Sequence, residues 1–218
     1  MNRIIHGDCT EVLKTLSAES VDFVLTDPPY GVCYRDRSGR TIANDSRPET
    51  TLAAFGDLHR VLKPDSFCIS FYGWNHADAF LAACKNAGFT PVGHIVWSKR
   101  YASSTRYLRA CHEQAYVLAR GRPQKPARPI ADVRPWEYTG NRFHPTEKAV
   151  SILQPLIETF SAPGALVLDP FAGSGSTCVA AALKGRRTLG IEIEAAYCDH
   201  ARSRLQGAER YVRARSSS

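Results

Sequence analysis

Short apolar runs of strand length alternate along the chain with stretches whose apolar residues recur at helical spacing. Strand-like runs cover residues 4–5, 21–26, 66–72, 92–97, 115–119, 165–168 and 188–193. Helical patterns cover residues 11–16, 51–62, 78–86 and 146–160, a segment around Val179 and Leu183, and a last stretch to Leu205. Because strands and helices alternate, the pattern predicts a doubly wound α/β fold, formed as a single domain over residues 1–218.

The run at residues 21–26 is typical of a buried strand, and it ends in Asp27-Pro28-Pro29-Tyr30. Open α/β sheets bind their ligands outside the carboxyl ends of the strands, so this motif stands where chemistry is expected. Each proline lacks an N–H and has a fixed φ, which gives a stiff backbone with free carbonyl acceptors. With the carboxylate of Asp27 and the flat ring of Tyr30, the motif predicts a pocket for an exocyclic amine on a planar ring. A rigid turn with a capping aspartate is the alternative.

A second motif, Asp-Pro-Phe-Ala-Gly-Ser-Gly-Ser-Thr at residues 169–177, follows the strand-like run at 165–168. Its glycines allow a ligand to approach the backbone, and the helix that follows begins with free N–H groups. A phosphate loop is excluded because no lysine precedes Ser176 or Thr177, and a dinucleotide motif because Cys178 stands in place of its last glycine. Asp169 and Glu192 instead suit an amino group and two ribose hydroxyls. A plain glycine turn is the alternative.

Charge and cysteine content narrow the class of protein further. The chain has 28 Lys and Arg against 21 Asp and Glu, a net charge of +7, which favours a polyanionic partner such as nucleic acid. Its seven cysteines form no Cys-x-x-Cys pair, so we expect neither a metal site nor a disulfide framework. The first residues lack the apolar region of a signal peptide, and no apolar run is long enough for a bilayer. We therefore expect a cytoplasmic protein without a membrane partner.

The two motifs together resemble those of the amino-DNA methyltransferases, which use S-adenosylmethionine to methylate the exocyclic amine of adenine or cytosine. The resemblance extends over nearly the whole chain through residues 7–9, 60–64, 95–99, 112–117, 144–148 and 190–194, with Tyr197. The catalytic motif precedes the glycine loop, which is the order of the beta group of this family. The resemblance implies a Rossmann-like methyltransferase fold whose mostly parallel sheet has one antiparallel strand. It also implies a bacterial or phage-encoded enzyme that is found on the nucleoid when bound to DNA.

Matching positions imply roles for individual residues. The catalytic residues are Asp27, Pro28, Pro29 and Tyr30, where Asp27 and the Pro28 carbonyl bind the amine and Tyr30 stacks on a base flipped out of the duplex. The residues implied to bind the cofactor are Asp8, Cys9, His144, Thr146, Lys148, Asp169, Phe171, Gly173, Ser174, Gly175, Ser176, Thr177 and Glu192. Aspartate rather than serine before the prolines favours N6 of adenine. The alternatives are N4 of cytosine, an RNA or protein amine, and a catalytically silent DNA-binding module.

Two basic segments are candidates for contact with double-stranded DNA. Residues 120–143 occupy the place of the family's target-recognition region, although this segment is short, and a solvated basic loop is the alternative. Residues 31–48 are rich in turn-forming residues, which predicts a mobile loop that orders on DNA. The side chains expected on phosphates are Arg35, Arg37, Arg40, Arg122, Lys125 and Arg128. A short recognition region favours a homodimer, and the absence of an endonuclease signature favours an enzyme that works alone.

Overall fold

The computed structural model describes residues 2–31, 48–105, 107–139 and 147–216, and within these ranges a sheet lies between two layers of helices. The strands are β1 (Arg3–His6), β2 (Val21–Thr26), β3 (Leu62–Phe71), β4 (Thr90–Ser98), β5 (His112–Arg120), β6 (Val133–Pro135), β7 (Leu166–Asp169) and β8 (Arg187–Glu192). The helices are α1 (Cys9–Thr15), α2 (Pro48–Val61), α3 (Ala77–Asn86), α4 (Val150–Phe160), α5 (Ser176–Leu183) and α6 (Ala195–Ser216), with a 3-10 turn at Trp74–His76.

The strands form one sheet in the order β1-β8-β7-β2-β3-β5-β4-β6. Strand β5 is antiparallel to both of its neighbours, β3 and β4. The other pairings in the described ranges are parallel. The predicted sheet, mostly parallel with one antiparallel strand, is therefore confirmed.

Alternation along the central strand explains why helices cover both faces of the sheet. Successive side chains of a strand point to opposite faces, so β2 sends Val24 to one face and Phe23 and Leu25 to the other. Val24 packs with side chains of α1, α2 and α3. Phe23 and Leu25 pack with α4 and α5. Both faces of β2 are therefore sealed from water, as the doubly wound prediction requires.

Three differences from the sequence-based expectation concern β6, α6 and α4. Strand β6 is unpredicted, because three residues with Pro135 at the sheet edge carry no alternation signal. Helix α6 continues to Ser216, beyond the predicted end at Leu205, since Leu205 and Ala208 extend its buried face against Ile4. Helix α4 begins at Val150, not at residue 146, which lies outside the described ranges.

The topology fixes where a ligand can enter. From β2 the chain proceeds to β3 on one side, whereas from β7 it proceeds to β8 on the other side. The switch point of the sheet therefore lies between β2 and β7, and such a point opens a crevice outside the carboxyl ends of the strands. Among the helices in the described ranges, none has the length and apolar character that crossing a bilayer requires.

Candidate active site

Four acidic residues lie at the carboxyl ends of four adjacent strands. Asp8 follows β1, Glu192 ends β8, Asp169 ends β7 and Asp27 follows β2. We call this side of the sheet the catalytic edge. Since parallel strands end on the same side, the fold brings together motifs that are far apart in the sequence.

The carboxylate of Asp27 is partly buried, with 18% of the side chain exposed, and it has two neighbours. Its Oδ1 accepts a hydrogen bond from the Tyr30 hydroxyl at 2.5 Å. Its Oδ2 accepts a hydrogen bond from the ammonium group of Lys148. Burial raises the pKa of Asp27, while the contacts with Lys148 and Tyr30 oppose that rise. Each carboxylate oxygen has two lone pairs, so Asp27 keeps acceptor capacity for a substrate N–H.

Lys148 lies in a cage of aromatic rings beside Asp27. Its Nζ is 5.0 Å from the ring centre of Phe71 and 5.8 Å from those of Tyr30 and Trp136. These rings and the Asp27 carboxylate surround the ammonium group, and the Lys148 side chain is only 8% exposed. The structure thus places Lys148 in the catalytic pocket, and its predicted contact with the cofactor stays a prediction.

Glu192 and Asp169 are buried carboxylates that organise the glycine loop. Glu192 accepts backbone N–H hydrogen bonds from Gly173 at 2.7 Å and from Glu194 at 2.8 Å. Asp169 Oδ1 accepts one from the Phe171 N–H at 3.2 Å. Burial raises the pKa of Asp169 to about 7 and also raises the pKa of Glu192. Two buried carboxylates suit a ligand that carries amino and hydroxyl groups, whereas they would repel a phosphate.

Gly175, in the same loop, must be a glycine for two reasons. Gly175 has φ +81°, the left-handed region, and it caps the amino end of α5. A Cβ at this position would lie 2.9 Å from the Cβ of Ala201 in α6. Gly175 therefore allows both the turn and the close approach of α6 to the loop.

Arg204 of α6 hydrogen-bonds to the glycine loop, and the sequence analysis did not identify it. Its Nη1 donates to the carbonyl and the hydroxyl oxygens of Ser174, both at 2.8 Å. It also lies 3.3 Å from Ser176 Oγ and 3.0 Å from Glu147 Oε1, whose side chain is 5% exposed. Arg204 thus ties the glycine loop to the residue that precedes Lys148. An arginine in the predicted last helix gave no signal of this role.

The remaining cofactor candidates divide between the described and undescribed residues. Asp8 Oδ1 accepts from the Thr10 N–H at 2.8 Å and caps α1, which starts at the buried Cys9. Phe171, Gly173, Ser174, Ser176 and Thr177 lie in or beside the loop between β7 and α5. His144 and Thr146 lie outside the described residues.

Three of the six predicted DNA contacts lie in the described residues, and their contact with DNA stays a prediction. Arg122, Lys125 and Arg128 are exposed, but the Arg122 N–H donates to Asp65 Oδ1 at 2.7 Å near the start of β3. Because β5 is antiparallel, its end at Arg120 leads away from the catalytic edge. Arg35, Arg37 and Arg40 lie outside the described residues, as does most of the predicted loop 31–48. Within the described residues 120–139, the chain returns to the catalytic edge only after β6.

The fold and the site define a class of protein. A stiff Asp-Pro-Pro-Tyr pocket and an acidic glycine loop face each other across the switch point of a doubly wound sheet, as in methyltransferases that act on amines. The N6/N4 DNA methylase family model matches residues 21–203. The chain belongs to this family of S-adenosylmethionine-dependent DNA methyltransferases. The amino group and ribose hydroxyls of that cofactor fit the buried carboxylates Asp169 and Glu192.

Individual relatives agree with this family. The chain is 55% identical to the putative methylase YubD of Escherichia coli (strain K12), with 96% of this chain and 92% of YubD covered. It is 28% identical to the DNA adenine methyltransferase YhdJ of the same organism, with 95% and 84% covered.

Solved structures share the fold. The M1.HpyAVI–SAM complex matches with a TM-score of 0.75 at 23% identity over 94% of this chain and 99% of that one. The cytosine-N4-specific PvuII DNA methyltransferase matches with a TM-score of 0.76 at 16% identity over 94% and 86%.

Proposed function

We propose that this protein transfers a methyl group from S-adenosylmethionine to the N6 amine of adenine in double-stranded DNA, after the adenine has left the duplex. The observation that carries the proposal is the Asp27 carboxylate, partly shielded from water beside the switch point and fixed by Tyr30 and Lys148. A fixed carboxylate acceptor at this position suits an exocyclic amine.

The chemistry requires an acceptor because the lone pair of the adenine amine is delocalised into the ring. When bound, S-adenosylmethionine would supply a methyl group on a positively charged sulfur: the N–C bond would form as the S–C bond breaks, the cofactor would leave as a neutral thioether, and the amine would lose one N–H proton to solvent. Asp27 and the carbonyl of Pro28 accept hydrogen bonds from the two N–H groups, which favours a pyramidal nitrogen aimed at the methyl group. Pro29 keeps this backbone stiff, because its φ is fixed. Burial raises the pKa of Asp27 and the contact with Lys148 opposes that rise, which favours the ionised carboxylate that accepts and does not donate.

Tyr30 provides the flat surface on which the flipped base stacks. Its ring packs edge-on against Phe80, with ring centres 6.5 Å apart, and its hydroxyl is held by Asp27. Gly73 leaves room for it, since a Cβ there would lie 3.0 Å from Tyr30 Cβ. The ring is therefore positioned before any base arrives, which lowers the entropic cost of stacking.

The cofactor is held on the other side of the switch point. Glu192 would accept from the ribose hydroxyls with the lone pairs that its two backbone contacts leave free, and Asp169 would face the amino group. We assign supporting contacts to Asp8, Cys9, His144, Thr146, Lys148, Phe171, Gly173, Ser174, Gly175, Ser176 and Thr177. The turn at Gly173 and Gly175 opens the backbone to close approach.

Two facts support adenine over cytosine as the target. The residue before the prolines is aspartate, which the resemblance associates with adenine, and the relative YhdJ is named as a DNA adenine methyltransferase. The PvuII enzyme, which is cytosine-N4-specific, shares the fold at 16% identity. N4 of cytosine is therefore the second candidate.

The test is to express the chain in cells that lack DNA methylation and to sequence their DNA with detection of modified bases. We expect N6-methyladenine in one sequence context. N4-methylcytosine in its place would show that the assignment of the base is wrong. DNA without modification, from a purified protein that binds S-adenosylmethionine by calorimetry, would indicate a silent module or another substrate. An assay of methyl transfer from labelled cofactor to RNA and to protein then distinguishes a silent module from an enzyme with another substrate.

Substitution of Asp27 tests whether the methyl transfer takes place at the proposed site. We expect Asp27→Ala to lower methyl transfer by about 100-fold to 1000-fold, the range for the loss of one fixed polar group in an active site. Asp27→Asn is the matched control, because the amide oxygen still accepts and part of the activity is retained. The affinity for S-adenosylmethionine remains close to that of the wild type. Near-normal methyl transfer by Asp27→Ala would contradict the mechanism.

A further inference from the structure

The loop between β4 and β5 is a hairpin that projects from the catalytic edge. Strand β4 runs parallel to β2 and β3, so its end at Ser98 lies on the same side of the sheet as Asp27. Beyond Ser98 the two arms stay paired, with hydrogen bonds from the Lys99 N–H to the Cys111 carbonyl and from the Ser103 N–H to the Ala110 carbonyl. A bridge between Thr105 and Arg109 closes the tip. We call residues 99–111, of which Arg106 is not described, the tip hairpin.

A buried ion pair anchors the base of the tip hairpin. Lys99 donates to Glu113 and to Ser103 Oγ, the latter at 2.6 Å, and only 5% of its side chain is exposed. Its Nζ also lies 5.4 Å from the ring centre of Trp136, the residue whose ring faces Lys148 as well. The hairpin is therefore fixed to the wall of the catalytic pocket.

The tip carries large apolar groups in full contact with solvent. Tyr107 is 102% exposed and Leu108 is 83% exposed, and they are adjacent at the turn. Arg109 follows them directly in the sequence and Arg100 lies near the base of the same hairpin, and both are exposed cations. The sequence from 99 to 111 contains four basic residues and no acidic one. Adjacent exposed apolar side chains with cations around them indicate a polyanionic partner that also offers an apolar surface, which describes a base step inside a duplex.

We propose that the tip hairpin is the element that opens the duplex, with Tyr107 and Leu108 entering the base stack beside the target while Arg100 and Arg109 contact the flanking phosphates. The inference rests on the proposed function, because flipping a base leaves a gap in the stack that an apolar wedge can fill. The arginines donate hydrogen bonds to phosphate oxygens, which sets the position of the hairpin, and the wedge lowers the cost of unstacking. A second copy of this chain is the competing occupant of the tip.

The decisive experiment compares two duplexes with the protein carrying both Tyr107→Ala and Leu108→Ala. Both duplexes contain the sequence context found by sequencing, and in one of them the target base faces a mismatch. We expect kcat/KM on the paired duplex to fall about tenfold or more, the usual loss for one stacked base. On the mismatched duplex we expect a value near that of the wild type, because unstacking is already easy there. Tyr211→Ala, which removes a 54% exposed tyrosine from α6, is the matched control.

Each other outcome overturns the proposal. Unchanged kcat/KM on the paired duplex would show that the tip stays outside the DNA. An equal loss on both duplexes would indicate a simple contact and not a wedge. A change in sedimentation coefficient without DNA would assign the tip to an interface between copies.

A binding measurement keeps this inference separate from the proposed function. We expect Arg100→Ala with Arg109→Ala to lower the salt dependence of binding to mixed-sequence duplex DNA, by about 0.9 in the log–log slope for each phosphate that an arginine no longer neutralises. An unchanged slope would overturn the proposed phosphate binding by these arginines. If the wild-type protein methylates no DNA, the proposed function fails, whereas this slope still decides whether the hairpin touches DNA.

Discussion

The two halves of the catalytic edge are built in opposite ways. On the cofactor half, formed by β7, β8, α5 and α6, polar groups are buried and already bonded: Ser174 is 3% exposed, Ser176 is 6% exposed and Arg204 contacts both. On the target half, formed by β3, β4, β5 and the tip hairpin, large side chains face water, with Trp74 72% exposed and Tyr107 fully so.

Under the proposed function, the difference follows from what each half binds. The cofactor is one small molecule of constant shape, so a site preformed by the fold gains affinity by avoiding ordering costs. A base inside a duplex must be extracted from a long charged polymer, which requires protruding and exposed groups. The predictions below test this contrast, from the largest expected effect to the smallest.

Substitution of Arg204 has the largest expected effect on the cofactor half, because it lowers both stability and cofactor affinity. We expect Arg204→Met to lower the free energy of unfolding by about 3–5 kcal/mol, because the carboxylate of Glu147 is buried and loses an ionic partner. The affinity for S-adenosylmethionine falls as well, since Ser174 loses its anchor. Chemical denaturation and calorimetry measure the two effects. Glu147→Gln in the Arg204→Met background should recover part of the stability, and no recovery would contradict the ion-pair explanation.

Lys148 connects the two halves, and its substitution is expected to shift the pH dependence of kcat. Burial raises the pKa of Asp27, Lys148 and Tyr30 lower it, and Glu113 raises it. The Asp169 carboxyl also interacts with Asp27. Without Lys148 the pKa of Asp27 rises further, so the ionised form requires a higher pH. We expect Lys148→Met to shift the acidic limb of the kcat profile upward by about 1–2 pH units, a typical effect of one neighbouring charge.

Lys148→Arg is the control for this shift, because it keeps the positive charge and should keep the limb near its wild-type position. If Lys148 acts on the cofactor alone and not on Asp27, Lys148→Met weakens binding of S-adenosylmethionine and leaves the acidic limb in place. That result would show that Lys148 serves cofactor binding and does not set the pKa of Asp27.

Asp169 makes the cofactor half less stable at high pH. The pKa of Asp169 is about 7 in the folded protein and has an ordinary value of 3.8, so the folded state holds the proton more tightly. Stability from this group is present below about pH 4 and is lost as the pH rises to about 7. We expect Asp169→Asn to raise Tm at about pH 8, by about 2–4 °C for each kcal/mol of relieved penalty, while weakening cofactor binding. A Tm that is unchanged at that pH would contradict this account.

The smallest expected effect concerns three arginines outside the described residues. We expect the combined substitution of Arg35, Arg37 and Arg40 by alanine to weaken DNA binding and to flatten its salt dependence, by about 0.9 in slope for each phosphate left without its arginine. Fluorescence anisotropy at several salt concentrations measures it. An equal slope in variant and wild type would rule out phosphate binding there. The homodimer also stays a prediction, and sedimentation velocity checks it.

Local sequence patterns predicted the elements but not the contacts between distant ones. The apolar run before Asp27 and the glycines after Asp169 are local signals, so the strands and the loop that carry the site could be located. The pairing of Lys148 with Asp27 joins residues 121 positions apart, and nothing along the chain shows that they meet. Arg204 was missed for the same reason. The exposure of Tyr107 is also a property of the fold, because an aromatic residue in a sequence looks the same whether it is buried or not.

The central position of β2 in the sheet has a consequence for folding of the nascent chain. Strand β2 pairs with β3, which is made soon after it, and with β7, which begins only at Leu166. At ordinary rates of translation, β2 therefore waits on the order of ten seconds for its second neighbour. During that time Asp27 exists without the glycine loop, so a ribosome-bound chain has no cofactor half and leaves nearby DNA unmarked. The same interval leaves one edge of β2 open, and a chaperone that covers it would protect the unfinished sheet from aggregation.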